Sequence, residues 1–219
     1  MTTGVRNTVI ICVAVVFLIM GLTMYNTTRE PVLSDEELRD MGVYVLPTPR
    51  DIGAFELTDH HGNSFTNADL EGQWNFVFFG FTYCPDICPV TMSVLSQVEH
   101  RLRQIGDDAL LSGFQGLLIT VDPERDDLAT LGTYVEAFSD NFLGVRGELP
   151  ELAEVARQLN VAFARVPNPD AQPDDDSYLV DHSGNIVIIN PRGHYHGFIR
   201  MPHDVETVEL AYRSLQRRF

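Results

Sequence analysis

The sequence predicts an α/β domain carried behind a membrane-spanning helix. Three observations predict it. An almost wholly apolar stretch lies near the N-terminus. Two short, mostly apolar runs (Trp74 to Phe81 and Gly116 to Val121) read as buried strands. Apolar residues recur every three or four positions between and after them, which is the period of amphipathic helices.

Thr8 to Thr23 is nearly all apolar, long enough for a bilayer-spanning helix. No small-residue cleavage site follows at Met24-Tyr25-Asn26, so the segment reads as an uncleaved anchor over residues 8–24 rather than a cleaved signal peptide. Arg6 is the only charged side chain before the span, and positive charge stays inside. Residues 1–7 are therefore expected in the cytoplasm. No arginine-rich transit peptide precedes the span, so the expectation is a single-pass protein of a bacterial inner membrane with its domain in the periplasm. Residues 25–50, polar and rich in turn formers, read as a linker, which leaves 51–219 as the domain.

Within the domain, Phe55 to Thr58 and Ser64 to Thr66 flank a turn at His61-Gly62-Asn63 and read as a hairpin. The buried strand from Trp74 is followed by Met92, Leu95, Val98, Leu102 and Ile105, one face of a helix. The second buried strand precedes a helix over Leu128 to Phe138. A short strand is expected at Phe142 to Val145, and a third helix around Leu152, Val155, Ala156 and Leu159. Tyr178 to Asp181 and Ile186 to Ile189 flank Ser183-Gly184-Asn185 and read as a hairpin, after a long acidic loop at Pro167 to Ser177. Val205, Val208, Tyr212 and Leu215 line a last helix. Strands alternating with helices, then a hairpin and a helix, is the order of a thioredoxin-like fold: a central mixed sheet flanked by helices.

All 31 acidic residues follow the span, against 15 basic ones in the whole chain, and lysine is absent. Such a domain repels nucleic acid and suits a basic partner, cations, or simply a solvated surface.

Cys84 and Cys88 stand four residues apart, just after the first buried strand, where a helix begins. Thiols there feel the positive end of the helix dipole and ionise more readily. Two such thiols form a disulfide or grip a soft metal. The spacing is one residue longer than the CxxC of dithiol oxidoreductases. A permanent disulfide closing so small a loop would stabilise little. Cys12 lies in the span, so the pair has no other cysteine partner in the domain.

Phe79 to Pro89 (FGFTYCPDICP), then Asp122 to Asp126 (DPERD), then Tyr178 to Ser183 (YLVDHS) resemble, in that order, three signatures of the Sco/SenC family. These are membrane-anchored copper-binding proteins of cytochrome c oxidase assembly. The resemblance runs from about Asp51 to the C-terminus and takes in the anchor. It implies copper, Cu(I) or Cu(II), bound by Cys84, Cys88 and His182. Soft thiolates select Cu(I), and an added imidazole nitrogen suits Cu(II). It further implies a metallochaperone, not an enzyme, that delivers copper to the binuclear copper site of the oxidase's copper-bearing subunit, with a periplasmic copper donor or thiol reductant as a further partner. A second reading is a thiol-disulfide reductase that keeps the oxidase cysteines reduced, in which Cys84 attacks and Cys88 resolves. A peroxiredoxin-like peroxidase lacks its peroxide-site pattern here. His182 separates the first two readings, because a reductase has no need of it.

Other residues carry paired readings. Asp181 either orients the His182 ring or begins the turn. Asp86 is a turn or capping residue, against a weak oxygen ligand. Asp122 and Arg125 read as a structural ion pair, against a partner-docking point. His194 and His196 share one strand face and read as surface residues rather than an auxiliary metal site; His60 and His61 are read the same way. The chain departs from the family at Asn190-Pro191, where relatives often carry an aspartate, in a turn remote from the ligands.

Overall fold

The computed structural model describes residues 3–28, 32–167 and 178–219. The chain divides into two units, Met1–Val32 and Leu33–Phe219. The first holds helix α1 (Thr3–Thr28), in which Gly4–Met24 is long and apolar enough to cross a membrane. It is apolar all round rather than along one stripe, as a lipid-facing helix requires.

The second unit opens earlier than the sequence reading placed it. From Leu33 onward the expected linker is folded. Helix α2 (Asp35–Asp40) starts on a reciprocal capping box, with Ser34 accepting from the backbone N–H of Glu37 and the Glu37 carboxylate accepting from that of Ser34. Strand β1 (Val43–Arg50) follows and closes one edge of the sheet. It carries Pro47 and Pro49, which a sheet tolerates only at an edge. Without its partner in view, such a run reads as tether.

The main sheet also contains β2 (Glu56–Asp59), β3 (Ser64–Thr66), β4 (Trp74–Gly80), β5 (Phe114–Thr120) and β6 (Leu143–Arg146). Two late strands, β9 (Ile186–Ile189) and β10 (Tyr195–Ile199), complete it in the order β1-β10-β9-β4-β5-β6-β2-β3. The pairs β4–β5 and β5–β6 are parallel and the rest antiparallel, a mixed sheet as expected. Helices α3 (Ile87–Ile105), α4 (Asp108–Ser112), α5 (Leu128–Glu136) and α6 (Leu149–Gln158) connect the central strands, and α7 (Val205–Arg218) ends the chain.

The expected hairpin of Tyr178–Asp181 with Ile186–Ile189 does not form. Strand β8 (Tyr178–His182) pairs instead with β7 (Phe163–Pro167) in a separate two-stranded ribbon, with Phe163 opposite His182. The backbone of Ser183 donates to the Ala162 carbonyl and its hydroxyl accepts from the Ala162 N–H, which staples the ribbon's end. Burial decides the separation. Ile186–Ile189 is apolar on both faces and enters the sheet between β4 and β10, whereas β8 is half exposed. Strand β7 has no clear signature in the sequence, and β10 only the alternation of His194 and His196. In β10 the mid-strand Gly197 reads as a breaker, yet a Cβ there would collide with the backbone of Tyr44 on β1. Apart from Pro167, the acidic loop expected at 167–177 lies outside the described residues.

Strand β4 is buried along its whole length. Phe76 and Phe78 point to one face, and burying each contributes about 2–3 kcal/mol. On that face Phe76 meets Phe114 of β5 and Tyr212 of α7, and α3, whose Met92, Leu95, Val98 and Leu102 are buried, packs beside α7. The same face continues one step further to Gly80, where the sheet ends and the site begins.

Candidate metal centre

Residues 81–86 turn the chain from the end of β4 into α3. Cys84 lies in this turn, half exposed, and Cys88 lies in the first turn of α3, fully buried. Gly80 makes room for it: a Cβ there would stand 3.0 Å from the Cys88 sulfur and 2.9 Å from the Phe78 ring. Asp126, fully buried after β5, pins the turn from below. It accepts from the backbone N–H of Thr82 (3.1 Å), from the Thr82 hydroxyl (2.5 Å) and from the Thr120 hydroxyl (2.6 Å). Asp126 stands in the DPERD motif, where the sequence alone assigns it no role. Its signal was there: a carboxylate that recurs a few residues after a buried strand must be satisfied by something nearby.

His182 arrives from the end of the ribbon. Its Nδ1–H faces the Ser183 carbonyl at 3.2 Å, which leaves the Nε2 lone pair directed at Sγ of Cys88, 3.6 Å away. The rings of Phe78 and Phe81 stand edge-on to the imidazole, at 5.7 and 5.8 Å between centroids. The two thiols and the imidazole nitrogen all lie within 4.8 Å of one another. The three residues singled out in the sequence thus come together, and Cys84 and His182 line a cleft of about 320 Å³ with Arg125 and Leu179.

The two thiols are not equivalent. A hydrogen bond from Cys88, the neighbouring His182 side chain, and the backbone N–H groups of Asp86 and Cys88 at the helix start bring the Cys84 thiol from 9.0 down to about 4. Burial opposes this but is outweighed. The Cys88 thiol is pushed up, because it holds the shared proton beside the Cys84 thiolate and is buried. At neutral pH the pair is one thiolate and one thiol. Two soft sulfurs and one neutral imidazole nitrogen form a donor set for a soft ion such as copper.

Asp181 is exposed and does not hold the His182 ring; the Ser183 carbonyl does. Asp86 occupies the position before α3, but its side chain makes no capping hydrogen bond. Asp122 is buried and ion-paired with Arg125, and it accepts from the Tyr178 hydroxyl at 2.6 Å, so this pair ties β5 to the ribbon that carries His182. The Arg125 guanidinium lies over the Tyr178 ring at 4.3 Å.

The remaining histidines do not join the centre. His194 faces Asp51 at 3.1 Å. His196, read as a surface residue, is half-buried: its ring stands edge-on to Trp74, and Asn190 donates to its Nδ1 at 3.1 Å. Asn190 also accepts from the backbone of Arg192 and His194, so the departure from the family pattern closes this turn. His60, likewise read as surface, has a side chain only 3% exposed and gathers with His61 and Glu136. The Gly144 N–H donates to its Nδ1, which fixes the proton on Nε2, 3.5 Å from Glu136. That nitrogen is a donor, with no lone pair for a metal.

Comparison with known proteins agrees with this geometry. The SCO1/SenC family matches residues 46–216. The mouse mitochondrial protein SCO2 homolog is 38% identical over 161 residues, covering 74% of this chain and 60% of that protein. The chain thus spans under two thirds of the length of this curated relative. The structure of Bradyrhizobium japonicum ScoI with copper bound is 32% identical, with a TM-score of 0.63 over 77% of this chain and 99% of that one. Yeast Sco1 with copper bound is 31% identical, with a TM-score of 0.67 over 78% and 91%. These neighbours share the thioredoxin-like architecture, and a family match over most of the folded unit settles the relationship: the chain belongs to the SCO1/SenC family.

Proposed function

We propose that this protein is a copper metallochaperone, anchored in a bacterial inner membrane by residues 8–24 with its domain in the periplasm. Cys84, Cys88 and His182 hold the ion, and the recipient is the binuclear copper site of cytochrome c oxidase. One observation carries the reading: two thiols and an imidazole nitrogen within 4.8 Å of one another, in a family whose solved members from yeast and Bradyrhizobium carry copper.

Copper is the cargo here. Cys84, ionised and half exposed, is the thiolate an incoming ligand can replace, while Cys88 and His182 retain the ion from the buried side. Transfer then proceeds by ligand exchange: a recipient thiolate enters as Cys84 leaves. Binding requires reduced thiols, so an intramolecular Cys84–Cys88 disulfide and Cu(I) exclude one another, and loading in the oxidising periplasm demands a reductant.

A second reading rests on the unequal thiols. A thiolate at Cys84 backed by a protonated Cys88 is the arrangement of an attacking and a resolving cysteine, which fits a reductase acting on the oxidase's cysteines. Copper titration of the reduced chain in detergent decides between them. The chaperone requires one tightly held Cu(I), lost in Cys84→Ser and Cys88→Ser. Tight, stoichiometric copper in the double variant would refute the site, and disulfide reduction without copper retention would favour the reductase.

A further inference from the structure

The folded unit leaves six large apolar side chains exposed among the described residues, and four of them surround the thiols and His182. Tyr83, Val90, Leu179 and Met201 are between 44% and 64% exposed. They form one surface. Tyr83, Ile87 and Leu179 line the cleft that holds Cys84 and His182. Val90 follows Ile87 by one turn of α3. Met201 reaches Ile87 across Gly184, where an added Cβ would stand 2.8 Å from Ile87 Cδ1 and closer still to the Met201 sulfur. Glycine at 184 therefore lets a side chain beyond β10 join the rim of a site built from β8 and α3. Tyr83 also walls a second cleft, of about 490 Å³, against Ala129, Thr130 and Tyr134 of α5, so the apolar surface continues on its far side.

A chain with a formal charge of −16 has ample charged side chains to cover such a face, and a contiguous exposed apolar patch marks an interaction site. Its rim is acidic: Asp86, Asp181 and Asp204 are exposed. Of the cations beside it, Arg125 and Arg165 are paired with Asp122 and Glu124, and Arg200, next to Met201, lies over the Tyr44 ring. An apolar centre with a charged rim is the anatomy of a protein interface.

We propose that Tyr83, Ile87, Val90, Leu179 and Met201 form a docking face for a protein partner whose own metal site sits in an apolar surface with a basic rim, placed so that the partner's ligands come over Cys84. The proposal rests on the copper reading above, since it names the partner of that site. Exclusion of water at such a contact would confine ligand exchange to the docked pair.

The test uses the full chain in detergent, labelled at its methyl groups, and the apo, reduced soluble domain of the oxidase's copper-bearing subunit as probe. Titration of the copper-free chain should shift the methyl signals of Ile87, Val90, Leu179 and Met201, and salt at about 0.5 M should weaken the effect. Shifts confined to other methyls, no shifts at all, or insensitivity to salt would overturn the proposal. This arm needs no copper, so it stands even where the copper reading fails. In the second arm, Val90→Ser with Met201→Ser should slow Cu(I) transfer to the probe roughly tenfold or more, while transfer to a small chelator such as bathocuproine keeps its wild-type rate. Equal slowing to both acceptors, or none, would refute docking. A wild-type chain that retains no Cu(I) would refute the copper site alone.

Discussion

The Nε2 atom of His182 lies 3.6 Å from the sulfur of Cys88, across 94 positions of sequence. The two are brought together by elements that share no strand pairing: Cys88 rides on α3 at the end of the main sheet, and His182 ends a separate two-stranded ribbon. The site therefore closes only if the ribbon is held against the sheet. Asp122, Arg125 and Tyr178 hold it there, while Ser183 and Ala162 close the ribbon's own end.

Replacing His182 by Ala should change Cu(II) binding far more than the behaviour of the dithiol. Two thiolates still hold Cu(I), whereas Cu(II) calls for the nitrogen. The expected outcome is an altered Cu(II) absorption spectrum with a nearly unchanged Cys84–Cys88 reduction potential. An unchanged spectrum would remove the imidazole from the ligand set.

Cys84 should react as a thiolate well below neutral pH. Its thiol is lowered to about 4 and its side chain is half exposed, whereas Cys88 is buried and protonated. Iodoacetamide should alkylate Cys84 in the metal-free, reduced chain at a rate that stays level from about pH 8 to pH 5 and falls only as the pH passes through about 4. A rate that falls across pH 9 to 8, as for a free thiol, would show that the helix start and the Cys88 proton do not stabilise the thiolate.

Gly80→Ala should disturb the site without adding any chemistry. The new methyl group meets the Cys88 sulfur and the Phe78 ring at about 3 Å, closer than ordinary contact. Overpacking of this kind costs about 1–3 kcal/mol. Thermal unfolding should show that loss, and Cu(I) affinity should fall with it because the sulfur itself must move. Wild-type stability and affinity together would mean that the end of β4 yields freely.

The stability of the fold should fall as the pH drops from about 6.5 to 4. Burial lowers the His196 pKa to about 4, against about 6.5 in an unfolded chain. Between those values the unfolded chain binds a proton that the folded one refuses, so the contribution is complete above pH 6.5 and lost towards pH 4. Partial exposure of the ring screens the loss to about 1–2 kcal/mol. Urea denaturation of wild type and His196→Gln should converge over this range. Curves that stay parallel would show that the ring titrates normally. Asn190→Asp, which sets a carboxylate beside Nδ1, raises the folded-state pKa of the ring and should shrink the wild-type loss or abolish it.

By itself the sequence determined the parts whose physics is local. The mostly apolar run of Trp74 to Gly80 reads as a central strand, the three- and four-residue spacing from Met92 to Leu102 as one buried face of a helix, and the CxxxC turn between them places two thiols at a helix start. Its motif order also carried the family and, through the family, His182. The tertiary structure decided everything that depends on a partner distant in sequence. It made a strand of the proline-bearing 43–50 segment by supplying β10 as its neighbour. It split the expected hairpin, because Ile186–Ile189 buries both faces while Tyr178–His182 does not. It gave the task of orienting His182 to the Ser183 carbonyl rather than to Asp181, and it drew His196 inward against Trp74. Backbone carbonyls and ring packing have no signature in sequence: every residue carries a carbonyl, and which ring a histidine meets is fixed only when the sheet, the ribbon and the helices have closed.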